Sequence, residues 1–201
     1  MNYKAFQRED LARIACTDGA VLGWEQGLGK TIALYTIPLL KCGFGPGLAP
    51  KAPVLLVAPA NLIGQLVAEG AKLFGISVTH IEDQAAFAAL PCPLPPGFYI
   101  TSFTSLAING SDPKLHTLMR DAFECVVVDE GTRIQKDSSM TSEAVCSLKS
   151  KYRFLLTGRR SRTGSDPSSA WRGGPPAPAS IRPPDSRSAR RTGRDSRNAS
   201  R

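Results

Sequence analysis

No unbroken apolar run in the sequence approaches the roughly 18–20 residues that a bilayer span needs. The first ten residues, Met1 to Asp10, are polar and charged and contain no apolar signal core. Both absences point to a cytosolic or nuclear-type soluble protein with no membrane partner. Metal and disulfide signatures are missing too. The five cysteines (Cys16, Cys42, Cys92, Cys125 and Cys146) are odd in number and scattered, no Cys-x-x-Cys pair occurs, and the two histidines, His80 and His116, stand far apart. Such spacing argues against a zinc site and a disulfide framework, and leaves the thiols as buried or idle side chains.

An excess of either charge is also missing from most of the chain. Residues 1–158 hold 14 Lys+Arg and 14 Asp+Glu, whereas residues 159–201 hold 11 arginines, no lysine and 3 aspartates. The formal net charge of +8 therefore lies entirely in the last segment. The body offers no global electrostatic argument for binding DNA or RNA. After Gly158, Arg, Ser, Pro, Gly and Ala dominate, and Trp171 and Ile181 are the large apolar residues that remain. A segment of that composition cannot bury enough surface to offset chain entropy, which predicts disorder for 159–201. It could serve as a basic nucleic-acid tail. The preferred reading is that the reading frame is lost near Arg159, since eleven arginines without a lysine is an odd composition for a phosphate-binding arm.

The 201-residue chain thus divides into a body, 1–158, and a tail, 159–201. The body alternates strand-like and helix-like runs. Strands are expected at Ala20–Gly23, Val54–Ala58, Ile76–His80, Phe98–Thr101, Cys125–Val128 and Arg153–Leu156. Helices are expected at Lys30–Leu40, from Asn61 as cap to about Phe74, and at Gln84–Leu90, Lys114–Phe123 and Ser139–Leu148. Val54–Ala58 and Cys125–Val128 are continuous apolar runs, the pattern of parallel strands buried on both faces. The alternation predicts an α/β fold, a parallel sheet with helices on both faces.

Two short segments carry chemistry. Trp24-Glu25-Gln26-Gly27-Leu28-Gly29-Lys30-Thr31 lies between an expected strand and an expected helix. Gly27 and Gly29 allow backbone N–H groups to approach phosphate oxygens without a Cβ in the way. The following helix aims its positive end at the same anion. Lys30 would reach the β- and γ-phosphates, Leu28 lies in the cradle, and the Thr31 hydroxyl would ligate Mg²⁺. The strict P-loop pattern has Gly where this chain has Trp24. The second segment, Val126-Val127-Val128-Asp129-Glu130, puts an acidic pair at the carboxyl end of a buried strand, where open α/β sheets hold their ligand crevice. Asp129 can hold the magnesium through water, and Glu130 can orient or deprotonate the attacking water. Thr157-Gly158, ending a strand, could sense that acidic pair, and Phe6-Gln7 could present an amide to an adenine edge.

The ordered series resembles the first RecA-like lobe of superfamily 2 helicases, most closely the Swi/Snf type of DNA translocase. Phe6-Gln7 resembles the family's adenine-reading element, and Gln26-Gly27-Leu28-Gly29-Lys30-Thr31-Ile32 its motif I. Val54-Leu55-Leu56-Val57-Ala58-Pro59-Ala60-Asn61-Leu62-Ile63 is similar to motif Ia, and Tyr99-Ile100-Thr101-Ser102-Phe103-Thr104-Ser105-Leu106 to motif Ib. Asp129-Glu130-Gly131 with Arg133-Ile134 resembles the DEAH-like motif II, and Phe154-Leu155-Leu156-Thr157-Gly158 the start of motif III. The chain departs from the pattern at Trp24, where the subfamily has an acid, and at Thr132, where DEAH-type members have His. It departs again at Arg159-Arg160, where motif III continues Thr-Pro.

The resemblance implies a P-loop NTPase fold, ATP and Mg²⁺ as ligands, and Lys30 and Glu130 as the catalytic residues. It implies nucleotide contacts from Gln7, Gly27, Leu28, Gly29 and Thr31, metal contacts from Thr31 and Asp129, and coupling through Thr157 and Gly158. It also implies backbone contacts to nucleic acid, DNA rather than RNA, from Pro59, Asn61, Thr101 and Ser102, against the alternative that Asn61 and Ser102 merely cap helices. A second RecA-like lobe would supply arginine fingers, so slow hydrolysis is expected from this chain alone. Two other classes stay open: a different P-loop ATPase or kinase, and an inactive nucleotide-binding fragment.

Overall fold

A computed structural model describes residues 3–25, 27–110, 120–131, 140–158 and 179–181. Its centre is a parallel sheet whose strands are β1 (Gly19–Gly23), β2 (Pro53–Ala58), β3 (Val78–Ile81), β4 (Gly97–Ser102), β5 (Cys125–Val128), β6 (Tyr152–Thr157) and β7 (Ala179–Ile181). They lie in the order β3-β4-β2-β5-β6-β1-β7. The sheet is accompanied by helices α1 (Ala5–Ala15), α2 (Lys30–Cys42), α3 (Ile63–Phe74), α4 (Gln84–Ala88), α5 (Phe103–Gly110) and α6 (Met140–Ser147), and by short 3₁₀ turns at Pro46–Leu48 and Ala60–Leu62. The α/β expectation is met.

Strand alternation divides the core into two layers. Val54, Leu56 and Ala58 of β2 and Cys125 and Val127 of β5 pack with Leu11 and Ile14 of α1, Leu34 and Ile37 of α2, and Leu66 of α3. Leu55, Val57, Val126 and Val128 point to the opposite face, against Phe87 of α4, Phe103 and Leu106 of α5, and Val145 of α6. Both faces are therefore covered, which is why β2 and β5 read as unbroken apolar runs rather than alternating ones. On the first face the Tyr35 hydroxyl donates to Leu66 O at 2.7 Å and its ring fills the space a side chain at Gly70 would take, so α2 and α3 meet through Tyr35.

Several expectations need correction. Helix α1 was not foreseen, because its inner face carries polar Gln7 and Asp10 beside Leu11 and Ile14, which breaks the apolar stripe. Helix α5 follows β4 without a loop, in a stretch assigned no helix apart from the alternative that Ser102 caps one. Asn61 does not cap α3. It lies in the 3₁₀ turn Ala60–Leu62, and the residue before the helix is Leu62, which makes no side-chain cap bond. Strand β3 begins at Val78 rather than Ile76. The expected helix Lys114–Phe123 lies mostly outside the described residues, as do Gln26, Thr132, Arg133 and Ile134. Of the segment 159–201, Ala179–Ile181 pairs with β1 in the register Ala20–Ala179 to Leu22–Ile181; the remainder lies outside the described residues. No helix among the described residues is long and apolar enough to cross a membrane.

Candidate nucleotide site

Because all the strands run parallel, their carboxyl ends share one edge of the sheet. β1 leads into the glycine loop, β5 into Asp129-Glu130 and β6 into Thr157-Gly158. The register sets Gly23 beside Thr157 and Val128 beside Leu155, so the three segments emerge side by side. Open α/β sheets bind ligands at such an edge.

The loop is shaped by two residues in the left-handed region, Gly27 at φ 79° and Gly29 at φ 88°. At Gly29 a side chain is excluded on a second ground: a Cβ would sit 2.6 Å from Gln7 Nε2. Gly29 also precedes α2, so Lys30 and Thr31 occupy the helix's first turn, whose N–H groups have no partner within the helix. The glycine turn therefore sits at the positive end of a helix dipole.

Three segments meet at the lysine. Lys30 Nζ donates to Glu130 Oε1 at 3.0 Å, and a Cβ added to Gly158 would lie 2.8 Å from the same nitrogen. Glu130 adopts φ 55°, an uncommon conformation for a side-chain-bearing residue, and its N–H donates to Asp129 Oδ1 at 2.9 Å. Gly131 follows where a Cβ would overlap the buried Leu155 side chain of β6. Burial holds the Asp129 carboxyl above the usual carboxylate range, opposed by the Lys30 ammonium and the Glu130 N–H. An acid so desolvated favours a cation beside it, and Thr31 supplies a hydroxyl on the first turn of α2. The donor set, one carboxylate and one hydroxyl, suits a hard cation that keeps several waters.

Gln7 is placed against the loop. Its Nε2 donates to Leu28 O at 2.8 Å and its Oε1 accepts from Lys4 N at 2.8 Å. The side chain is buried, so its amide is spent on the loop in this structure. Trp24 was noted in the sequence only as a departure, and the contact it makes was missed. Its indole Nε1 donates to Asp10 Oδ2 at 2.9 Å, and the Phe6 ring meets it edge-on at 5.5 Å between centroids. The only hint was a tryptophan at the loop's start and an aspartate one helical turn after Gln7.

The expected nucleic-acid residues share the same edge, at the ends of adjacent β2 and β4, where Val57 pairs with Thr101 and Ala58 with Ser102. Thr101 differs from expectation. It is fully buried and its hydroxyl donates to Ile81 O at 3.0 Å, because the side chain points into the sheet layer. Ser102 caps α5, its Oγ accepting from Ser105 N at 2.9 Å. Pro59 is buried and Asn61 is exposed.

Residues 11–159 match the SNF2-related domain. This chain belongs to that family. The mouse chromodomain-helicase-DNA-binding protein 1-like is 31% identical over 147 residues, 71% of this chain and 16% of its own length. A Bacillus subtilis protein named as the uncharacterized ATP-dependent helicase YqhH is 29% identical over 138 residues, 69% of this chain and 22% of its own. The human DNA repair and recombination protein RAD54B is 28% identical over 153 residues, 70% of this chain and 15% of its own. The SNF2-related chain thus spans less than a quarter of these relatives' length. The Sulfolobus solfataricus SWI2/SNF2 ATPase core, solved in complex with dsDNA, superposes at TM-score 0.62 and 20% identity, over 80% of this chain and 32% of that one. The parallel RecA-like fold is shared.

Proposed function

We propose that this SNF2-related domain is the ATP-binding lobe of a DNA translocase, and that the triphosphate takes the place Glu130 holds at Lys30. The observation that carries the reading is the 3.0 Å contact between Lys30 Nζ and Glu130 Oε1 at the carboxyl edge of the sheet. Among the described loop residues Lys30 is the cation that could meet an incoming γ-phosphate, and Glu130 is the carboxylate in contact with it. Released from the lysine, Glu130 would take a proton from the attacking water. Gly27, Leu28, Gly29 and Thr31 would line the phosphates, and Gln7 would face the base once its bond to Leu28 O opens.

Asp129 and Thr31 would hold a magnesium ion, which supplies positive charge to the phosphate oxygens when bound. Thr157 and Gly158 would be the coupling residues, since a side chain at Gly158 would meet both Lys30 Nζ and Glu130 Oε1 and Thr157 precedes it at the end of β6. Contact with DNA would run through backbone phosphates near Asn61 and the amino-terminal turn of α5, giving position rather than sequence readout.

In this family an arginine finger comes from a second RecA-like lobe, and such a finger contributes roughly 10³–10⁵ in rate. Hydrolysis by the residues of this chain alone is therefore slow. Phosphate release from Mg-ATP, followed with and without duplex DNA, tests the reading. A slow release abolished by Lys30→Ala is the expected result; a release indifferent to that substitution contradicts it.

A further inference from the structure

Helix α1 grips the glycine loop at both ends. Gln7 holds Leu28 near the loop's close, and Asp10, one turn later on the same buried face, holds Trp24 at its opening. We propose that Asp10 and Trp24 are positioning residues for nucleotide binding, fixing where the phosphate-binding loop leaves β1. The inference rests on the nucleotide reading above and deepens it.

The contact is built rather than incidental. Trp24 and Asp10 are 0% and 1% exposed, so neither the indole N–H nor the carboxylate can turn to water for a partner. Arg13 approaches the other Asp10 oxygen no closer than 3.8 Å, which leaves the indole as the short contact. A hydrogen bond between a buried donor and a charged acceptor is among the stronger kinds, and removing one partner strands the other. Phe6 packs edge-on against the same indole, so the ring is fixed in orientation as well as in position. Between the two anchors, Glu25 and Gly27 are exposed. A loop tied at residues 24 and 28 has its interior backbone groups placed by those ties.

The test is calorimetric titration of Mg-ATP and of inorganic tripolyphosphate into the full chain and into Asp10→Ala, Trp24→Phe and Asp10→Asn, well below each melting temperature. Asp10→Ala and Trp24→Phe are expected to weaken both ligands by a similar factor, about tenfold for one lost charged hydrogen bond. Asp10→Asn, which keeps an acceptor for the indole, restores affinity. Trp24→Phe deletes the N–H while keeping an aromatic ring, so it carries the test if Asp10→Ala does not fold. Wild-type affinities in Trp24→Phe with only a lower melting temperature would overturn the proposal, as would a loss confined to ATP. Failure of the underlying nucleotide reading looks different: the unsubstituted chain would then show no binding that depends on Lys30.

Discussion

Lys30 Nζ and Glu130 Oε1 stand 3.0 Å apart although 100 residues separate them in the chain. The pair is only partly buried, with side-chain exposures of 14% and 29%, so water and a ligand can both reach it. In this structure the acid occupies the lysine, and on the proposed reading a phosphate oxygen would compete with it.

That competition predicts the behaviour of Glu130→Gln. A neutral amide holds the ammonium less strongly and does not repel a triphosphate. Mg-ATP should bind several-fold more tightly than to the unsubstituted chain, while phosphate release falls to background. Titration and single-turnover release on the same preparation check both halves, and weaker binding would count against the competition.

Gly158→Ala should act on the site without acting on the fold. The added Cβ would lie 2.8 Å from Lys30 Nζ, the far end of a flexible side chain that can move aside at little cost. The expected outcome is a several-fold loss of ATP affinity at an unchanged melting temperature. An unchanged affinity would show that Lys30 does not need its present position.

Asp129 gives a prediction about pH. Burial raises its pKa above the ordinary 3.8, so the folded chain binds this proton more tightly than the unfolded chain does. Where the folded state holds more protons, stability falls as pH rises, here from about pH 3.8 up through the raised value. At neutral pH without metal, Asp129 is thus a cost to the fold. Asp129→Asn should raise the magnesium-free melting temperature by a few degrees and remove any stabilisation by Mg-ATP. Thermal melts of both chains at acid and neutral pH would show it, the gap between them closing at the acid end.

Gly131→Ala should act on the fold directly. The new Cβ would overlap Leu155, which is buried and has nowhere to go. Overpacking of this kind costs about 1–3 kcal/mol. Urea denaturation should find that loss, and combining it with Leu155→Ala should cost less than the sum of the single changes, because the two side chains compete for one space.

The sheet was legible in the sequence because β2 and β5 are runs of apolar residues with no alternation, a pattern that a strand covered on both faces produces. The loop and the acidic pair were legible because Gly29-Lys30-Thr31 and Asp129-Glu130 each follow a strand. Their meeting was expected, and the contact of Lys30 with Glu130 gives it a geometry. Helix α1 escaped because its buried face is held by polar groups, Gln7 to Leu28 O and Asp10 to Trp24 Nε1, which apolar periodicity does not register. Asn61 misled for a related reason: a good capping residue lies inside the 3₁₀ turn Ala60–Leu62, closed by Leu62 N donating to Pro59 O, one residue too early to cap α3. Thr101 looked available at a strand end, yet the register of β4 against β3 turns it inward onto Ile81.

The most direct test is equilibrium titration of labelled ATP, in the presence of magnesium, into the unsubstituted chain and Lys30→Ala. Saturable binding that Lys30→Ala weakens at least tenfold, with both proteins equally folded, is the predicted result. Binding of equal strength to both, or to neither, would contradict a nucleotide site built on Lys30 and Glu130.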